Sequence, residues 1–379
     1  MTTSTAEQSA MRRALALAAS PGVPAGPNPR VGCVLLGSDG QVLAEGWHRG
    51  AGSPHAEVDA LQRASDAARG ATAVVTLEPC DHTGRTGPCS RALVEAGVRR
   101  VVYAQRDPNP VAAGGSATLR EAGVEVEGGL LEQEVRAVNR VWTFAMDHGR
   151  PFVTWKFATT LDGRSAAVDG TSRWVSSRAA RVDTHRLRAL CDTMLVGTNT
   201  VDVDDPLLTV RDAADLPLPQ QPLRAVMGLR ELPADRRVFD ASAATVRLRT
   251  RDPLLALKEL FALDRQHVFL EGGATLAAAF WKAGLVDEVV TYVAPMLLGS
   301  GRTAVADLGI GTIADAAHLI VADVTALDPL EPGDDTNVRI TMHPHPSVVE
   351  PGDVSTRSLR SLLDDQDARV ETPQQERTT

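Results

Sequence analysis

The chain has 379 residues, more than one ordinary hydrophobic core contains, so its length predicts two domains. Its formal net charge of −9 argues against a protein that binds the phosphate backbone of nucleic acid, which normally shows a basic face. No apolar run approaches the roughly 20 residues that span a bilayer, the N-terminus lacks the layout of a signal peptide, and the four cysteines suit a reducing compartment, so we expect a cytoplasmic protein with no nucleic-acid or membrane partner.

Helical and strand patterns alternate along the first third of the chain. Apolar residues recur with helical spacing over residues 6–19, and Pro21 ends that pattern. The turn signal Ser38-Asp39-Gly40 joins two strands in a hairpin. The strands are predicted over residues 31–36, 41–47, 71–77, 98–105 and 124–128, and further helices over 56–68, 90–96 and 116–122. This alternation predicts an α/β sandwich on a mostly parallel sheet.

A candidate zinc site lies within this half. His55, Cys80 and Cys89 offer one imidazole and two thiols, and a catalytic zinc site needs three protein ligands and an open fourth position. Glu57 follows the histidine by two residues at the start of a helix, where its carboxylate can shuttle protons without binding the metal. This H-x-E and P-C pattern is the signature of zinc deaminases. The alternative is a structural zinc site or two unpaired buried cysteines.

The segment between the two cysteines is longer than in the short form of the motif. It carries His82 and Arg85, and a positive pocket suits a phosphorylated small substrate. Another segment, Asp107-Pro108-Asn109-Pro110, leaves the end of a strand, where open α/β sheets usually place ligand contacts. Its residue types suit a plain turn equally well, and we favour a turn that also lines the pocket.

A boundary is expected near His148-Gly149-Arg150-Pro151, because glycine and proline punctuate the periodic pattern there. We therefore predict a first domain over residues 1–147 and a second over 148–345. Strands of the second are expected at 152–159, 193–196, 223–227, 245–248, 267–270 and 288–293, and helices at 177–190, 253–263 and 274–283. Residues 346–379 are polar with few apolar residues, which predicts a disordered tail.

A glycine-rich turn suggests a cofactor site in the second domain. Glu271-Gly272-Gly273-Ala274-Thr275 joins a predicted strand to a predicted helix. Glycines at such a turn let a pyrophosphate approach the backbone N–H groups at the positive end of the helix. The alternative is a tight turn that simply requires small residues.

Several motifs together resemble the bifunctional riboflavin-biosynthesis deaminase/reductase family. In the first half they are Pro27-Asn28-Pro29-Arg30-Val31-Gly32, Gly46-Trp47-His48, His55-Ala56-Glu57, Glu78-Pro79-Cys80 and Gly84-Arg85-Thr86-Gly87-Pro88-Cys89. In the second they are the runs 155–164, 172–177 and 196–211, with Glu271-Gly272-Gly273 and Val286-Asp287-Glu288. The resemblance implies a cytidine-deaminase-like α/β sandwich that binds Zn²⁺, followed by a dihydrofolate-reductase-like α/β domain that binds NADPH.

The resemblance also implies roles for individual residues. The implied NADPH contacts are Ala158, Trp174, Thr200, Asp204 and the turn residues Gly273, Ala274 and Thr275. The implied substrate contacts in the second domain are Ser172, Arg188, Leu208, Arg211 and Glu271. In the first domain we expect Asn28, His48, His82 and Arg85 to hold the base and the phosphate. Arg188 and Arg211 suit a phosphate group, since a guanidinium presents a fork of donors to phosphate oxygens.

The expected function is therefore two successive steps of riboflavin synthesis. The first domain would hydrolytically deaminate 2,5-diamino-6-ribosylamino-4(3H)-pyrimidinone 5′-phosphate, and the second would reduce the ribosyl group to ribityl with NADPH. One departure from the family, Met227-Gly228-Leu229, removes a hydroxyl expected to bind the cofactor. A nucleic-acid deaminase, or a non-catalytic C-terminal module, are the alternatives. We expect a homo-oligomer.

Overall fold

The computed structural model describes residues 3–20, 26–83 and 87–345. Two predictions, the substrate contact by Arg85 and the disorder of residues 346–379, therefore lie outside the described residues. Within the described ranges, no helix combines the length and the apolar character that crossing a bilayer requires.

The N-terminal half forms a five-stranded sheet in the order β2-β1-β3-β4-β5. Its elements are α1 (Thr5–Ala18), β1 (Gly32–Leu36), β2 (Val42–Trp47), α2 (Ala56–Ala64), β3 (Thr72–Leu77), α3 (Cys89–Glu95), β4 (Arg100–Gln105), α4 (Gly115–Glu121), β5 (Glu125–Gly128), α5 (Glu132–Val138) and α6 (Arg140–His148). Strand β1 is antiparallel to both β2 and β3, while β3, β4 and β5 run parallel. The sheet is thus half parallel rather than mostly parallel as predicted.

Helices cover both faces of this sheet. Successive side chains of a strand point to opposite faces, so each inner strand contributes to two cores. Cys33 and Leu35 pack with α2 and α3 on one face. Val34 and Leu36 pack with α1 on the other. A strand covered on both faces reads as a continuous apolar run, as the sequence of β1 does.

The C-terminal half forms an eight-stranded sheet in the order β10-β9-β8-β11-β6-β12-β15-β14, and β7 pairs with β13 in a separate two-stranded sheet. Its elements are β6 (Phe152–Thr160), β7 (Arg164–Ala166), α7 (Arg178–Arg188), β8 (Thr193–Gly197), α8 (Thr198–Asp204), β9 (Leu223–Met227), β10 (Thr245–Leu248), α9 (Pro253–Ala262), β11 (His267–Leu270), α10 (Ala274–Lys282), β12 (Glu288–Ala294), β13 (Arg302–Thr303), β14 (Leu319–Leu327) and β15 (Asn337–Pro344). The first six strands in this order, from β10 through β9, β8, β11 and β6 to β12, run parallel to one another. Strand β15 pairs antiparallel with β12, and β14 pairs antiparallel with β15.

The predicted elements are largely present, but one differs in its bounds, and seven observed elements were not predicted, namely α5, α6, α8, β7, β13, β14 and β15. The helix predicted over residues 56–68 is α-helical only to Ala64 and continues as a 3₁₀ turn, Ser65–Ala68, because Ser65 takes a positive φ of 50°. The hairpin of β14 and β15 was not predicted. Strand β14 lies at the edge of the sheet and is mostly exposed, and Asp323 and Thr325 interrupt its apolar residues.

The two halves touch through α6 and through the loop before β1. Arg140 Nη2 donates to Glu288 Oε2 at 2.7 Å, and its guanidinium lies 4.7 Å from the Phe152 ring centroid. Gln266 Nε2 donates to the carbonyl oxygen of Pro27 at 2.6 Å. The second contact reaches the loop that carries Asn28, one of the predicted substrate contacts.

Candidate active sites

Three potential metal ligands from separate segments meet at one end of the first sheet. His55 immediately precedes α2, Cys80 follows β3, and Cys89 is the first residue of α3. His55 Nδ1 lies 3.3 Å from Cys89 Sγ and 3.6 Å from Cys80 Sγ. All three ligand atoms lie within 4.8 Å of one another.

This donor set fits a zinc ion. Tetrahedral coordination, with Zn–N of about 2.1 Å and Zn–S of about 2.3 Å, separates neighbouring N and S ligand atoms by about 3.6 Å. Across residues 3–20, 26–83 and 87–345, no other His, Cys, Asp and Glu side chains converge in this way. A set of three protein ligands is typical of catalytic zinc sites, whereas structural sites usually have four.

Three groups at this centre have strongly shifted pKa values, and for Cys89 the hydrogen bond with Cys80, together with burial, raises the pKa well above its ordinary value. The hydrogen bond with Cys89 lowers the pKa of Cys80 to about 4 despite its burial, so Cys80 is a thiolate at neutral pH. Glu57, in the first turn of α2, is buried, and burial together with the charge of Cys80 raises its pKa to about 7. A bound cation would lower that value, as any nearby positive charge does.

A close approach between β2 and α2 sets the relative position of two histidines. A Cβ atom at Gly46 would lie 2.3 Å from the carbonyl oxygen of Ala56, so the two elements can touch here only at a glycine. His48 directly follows β2 and His55 directly precedes α2. The centroids of their rings lie 5.4 Å apart.

His48 is held as a neutral imidazole with a defined tautomer. Its Nδ1 lies 3.0 Å from the carbonyl oxygen of Pro54, which can only accept, so Nδ1 carries the proton. Its Nε2 then accepts from Asn28 Nδ2 at 2.9 Å. Burial lowers the pKa of His48, which favours this neutral form.

A cavity of about 610 Å³ opens over these groups. The predicted residues in its wall are Asn28, His48, His55, Glu57, Cys80 and His82, and Cys89 lies buried behind them. Nδ1 of His82 is buried without a hydrogen-bond partner, as expected of a group that receives a ligand. The expectation that the Asp107 turn lines the pocket is confirmed, because Asp107 and Asn109 form part of the wall.

Part of this wall was missed by the sequence reasoning. Trp142 and Met146 come from α6, and Phe261, Asp264 and Gln266 come from the C-terminal half. No local motif marks these residues, since they reach the cavity only through the packing of the two halves.

A second cavity, of about 410 Å³, lies in the C-terminal half. Seven of the predicted cofactor and substrate residues line it, namely Ala158, Ser172, Trp174, Arg188, Asp204, Leu208 and Arg211. Trp174 is 64% exposed, and the guanidinium of Arg181 lies 4.4 Å from its ring centroid. The second site is thus more open than the first.

Glu271 organises the charged groups beside this cavity. Its two carboxylate oxygens accept separately, Oε1 from Lys156 Nζ at 3.1 Å and Oε2 from Arg188 Nε at 2.8 Å. Burial alone would raise the pKa of Glu271, but the charges of Arg188 and Lys156 lower it to about 2. Glu271 is therefore ionised at neutral pH, and it holds both cations in place.

The two predicted phosphate clamps differ in how firmly the protein holds them. Arg188 is bound to Glu271 and also donates to the carbonyl oxygen of Thr209 at 3.1 Å. Arg211 pairs with Asp215 at 2.9 Å, and the Asp215 side chain is 73% exposed. Because such an exposed pair contributes little, an incoming phosphate can replace Asp215 more easily than Glu271.

The predicted cofactor turn lies at the start of α10, next to α8. Thr200 Oγ1 accepts a hydrogen bond from the backbone N–H of Gly273 at 3.0 Å. This bond connects two residues that are both predicted to contact NADPH. Ala274 and Thr275 form the first turn of α10.

Within the departure Met227-Gly228-Leu229, the glycine occupies a sterically constrained position. Gly228 has a φ of 142°, and a Cβ there would lie 2.9 Å from Thr198 Cγ2, so this turn has no space for a side chain.

Comparison with known proteins assigns the chain to a family. A model described as the cytidine and deoxycytidylate deaminase zinc-binding region matches residues 4–105, and one described as the RibD C-terminal domain matches residues 151–329. The riboflavin biosynthesis protein RibD of Mycobacterium tuberculosis H37Rv is 50% identical over 291 residues, 76% of this chain and 85% of that protein. RibD of Escherichia coli K12 is 38% identical over 354 residues, 84% of this chain and 96% of that protein.

The chain belongs to the RibD family. Solved structures agree, since Acinetobacter baumannii RibD, form 1, has a TM-score of 0.79 at 37% identity and covers 90% of this chain and 99% of its own. A Thermotoga maritima diaminohydroxyphosphoribosylaminopyrimidine deaminase/5-amino-6-(5-phosphoribosylamino)uracil reductase has a TM-score of 0.76 at 30% identity, with the same coverage. As a member of this family, the chain is a bifunctional deaminase and reductase of riboflavin biosynthesis. This membership does not favour a nucleic-acid deaminase or a non-catalytic C-terminal module.

Proposed function

We propose that the N-terminal site deaminates 2,5-diamino-6-ribosylamino-4(3H)-pyrimidinone 5′-phosphate with zinc, and that the C-terminal site reduces the ribosyl group of the product with NADPH. The observation that carries the first assignment is the convergence of His55, Cys80 and Cys89 within 4.8 Å beside the buried Glu57. The Thermotoga maritima relative, a diaminohydroxyphosphoribosylaminopyrimidine deaminase, supports the substrate class.

In the first step, the residues of this chain bind the base and move protons. Zinc, held by the three ligands, supplies Lewis-acid activation of a water molecule at neutral pH. Glu57 is the general acid/base: its carboxylate takes a proton from water and delivers it to the leaving amine, which departs as ammonia. Asn28 and the neutral His48, fixed to each other, position the pyrimidine, and His82 offers its unpartnered Nδ1.

In the second step, the chain orients a phosphorylated sugar beside the cofactor. NADPH, when bound, would supply the hydride that reduces C1′ of the ring-opened, imine-like form of the ribosyl group, and a proton from solvent would complete the amine. Arg211 binds the phosphate by exchanging its exposed partner Asp215, while Ser172 and Leu208 line the same pocket. Lys156, fixed by Glu271, provides a positive charge close to the reacting sugar.

We place the cofactor between α8, α10 and the second cavity. Ala158, Trp174 and Asp204 line that cavity, and Thr200 bonds to the turn that begins at Gly273. Ala274 and Thr275 add the N-terminal turn of a nine-residue helix, whose backbone N–H groups and dipole favour phosphate.

The test is the stoichiometry of both steps in one sample. With the diaminopyrimidine phosphate, purified protein should release one ammonia and oxidise one NADPH for each substrate consumed. Ammonia release without any NADPH oxidation would contradict the assignment of the second site, and neither product would contradict both assignments.

We also propose that the two sites belong to domains 1–147 and 148–345. In support, α6 ends at His148, Gly149 follows with a positive φ of 61°, and β6 of the other sheet begins at Phe152. Four free cysteines support a reducing, cytoplasmic location, and the net charge of −9 supports the absence of a nucleic-acid partner. We expect no membrane partner.

A homo-oligomer is supported by the edge strand β14. Ile320, Val321 and Val324 are 47%, 57% and 59% exposed on this outer strand, and an exposed apolar edge tends to pair with another chain. Light scattering should give a mass above that of one chain. Val321→Lys should lower the measured mass toward that of the monomer. Leu330 lies outside the strand, so Leu330→Lys should leave the mass unchanged.

A further inference from the structure

Gln266 of the C-terminal half lines the N-terminal cavity and is hydrogen-bonded to a loop in its wall. It immediately precedes β11, and its backbone N–H donates to Asp192 Oδ2 at 2.6 Å. Its side chain is buried and points the other way, where Nε2 donates to the carbonyl oxygen of Pro27 at 2.6 Å. One residue thus joins the C-terminal sheet to the loop before β1.

That loop holds the substrate-binding pair of the deaminase. Asn28 follows Pro27, and its Nδ2 donates to His48 Nε2 at 2.9 Å. The ring of His48 in turn lies 5.4 Å from that of His55. A continuous series of contacts therefore runs from the C-terminal sheet to the metal ligands.

The environment of Gln266 shows that its position is specific. Its Oε1 is buried without a hydrogen-bond partner, so the bond to Pro27 is the side chain's polar attachment. A Cβ at Gly26 would lie 3.2 Å from the same Oε1, so the loop packs closely on the amide. Gln266 also lines the deaminase cavity beside Phe261 and Asp264.

We infer that Gln266 is a positioning residue for the deamination step, and that the C-terminal half completes the deaminase site by fixing the loop of Pro27 and Asn28 through it. The inference rests on the proposed deaminase function. It also explains how β11 serves both sites: Gln266 stands at one end and Glu271 at the other, roughly 16 Å apart for five residues of strand.

This role makes a defined kinetic prediction. Loss of the Gln266 donor frees the Pro27 carbonyl and lets the loop of Asn28 move, which weakens substrate binding. The zinc ligands and Glu57 belong to other segments and stay in place. The KM of deamination should therefore rise by about tenfold, while its kcat changes by less than about threefold.

Two nearly isosteric variants separate the hydrogen bond from packing and from charge. Gln266→Met keeps the length of the side chain without a donor, and Gln266→Glu keeps its shape but carries an acceptor in place of the donor. Gln220→Glu adds the same charge at an exposed residue of the same half. Each full-length protein is assayed for zinc content, for ammonia release against substrate concentration, and for NADPH oxidation with the deaminated intermediate.

We expect both Gln266 variants to raise the KM of deamination, with zinc content and reduction at wild-type levels, and Gln220→Glu to behave as wild type. A KM within twofold of wild type in Gln266→Met would overturn the inference, as would a rise confined to Gln266→Glu, which would indicate charge alone. A parallel loss of zinc or of reduction would assign Gln266 a merely structural role and also overturn it. Failure of the wild-type protein to release ammonia would instead refute the proposed function itself.

Discussion

The two sites differ in how much of their final geometry the protein builds in advance. At the first, the ligand atoms of His55, Cys80 and Cys89 already lie at distances that suit one ion, and Glu57 beside them is buried. At the second, the cavity is open, and the cations Arg188 and Arg211 are paired with carboxylates of the protein. We therefore expect the first site to need only its metal, and the second to exchange these ion-pair partners when the proposed ligands bind.

This difference follows from the chemistry of the ligands. A metal centre needs dehydrated donors at fixed distances, which burial and short elements provide. A large anionic cofactor and a sugar phosphate need a wide surface with exchangeable positive charge. Substitutions of the metal ligands should thus act in an all-or-none manner, and substitutions at the second site should act by degrees.

The largest expected effect is loss of a metal ligand. Cys80→Ser should remove most of the zinc and abolish ammonia release, while NADPH oxidation with the deaminated intermediate continues. Cys191→Ser, a change of the same type at a cysteine in the C-terminal half, should retain the metal. The measurement is zinc per chain by atomic absorption. Stoichiometric zinc in Cys80→Ser would show that the ligands are wrong.

Next in size is loss of the proton carrier. Glu57→Gln preserves the shape of the side chain and should keep zinc bound, but the kcat of deamination should fall by about a hundredfold or more, the usual scale for a general acid/base. Steady-state ammonia release measures this. An equally active variant would transfer the role to another residue.

A smaller effect is expected at the second site. Arg211→Ala should lower kcat/KM for the deaminated intermediate by about thirtyfold, equivalent to about 2 kcal/mol for a charge-assisted contact, and should spare deamination. Arg186→Ala, on the exposed side of α7, is the matched control. A change of less than threefold in Arg211→Ala would remove this residue from the phosphate site.

The smallest expected effect is on the pH dependence of stability. Burial and the charge of Arg188 lower the pKa of His185 from 6.5 to about 4, and its Nδ1 accepts from the backbone N–H of Arg211. Between these two pH values His185 is protonated in the unfolded chain but neutral in the folded chain. Its contribution to the free energy of unfolding is therefore lost as pH falls from 6.5 toward 4. The lowered pKa of Glu271 acts only below about pH 4.5.

Compared with the wild type, His185→Gln should consequently lose less of its midpoint temperature of unfolding between pH 7 and pH 5. Differential scanning fluorimetry across this range is sufficient. An unchanged slope in the variant would mean that His185 titrates normally in the folded protein.

Sequence reasoning located the two sites unequally, for a physical reason. The metal ligands His55 and Cys89 are 34 positions apart, and their residue types are rare enough that spacing alone predicts a zinc site. Glu271 meets Lys156 across 115 positions, and neither residue type is distinctive, so only the family resemblance suggested the role of Glu271. Gln266 and Pro27 meet across 239 positions, and no local pattern predicts that contact. The strands buried on both faces were predicted, and the exposed edge strand β14 was not.

The central claim is that the two chemistries occupy separate sites, of which only the first depends on metal. The most direct measurement is to strip zinc from the full-length protein with a strong chelator and to assay both steps. Ammonia release from the diaminopyrimidine phosphate should stop, and should return when zinc is added back. NADPH oxidation with the deaminated intermediate should remain nearly intact. If chelation stopped hydride transfer as well, with the C-terminal sheet still folded, the division into two independent sites would be contradicted.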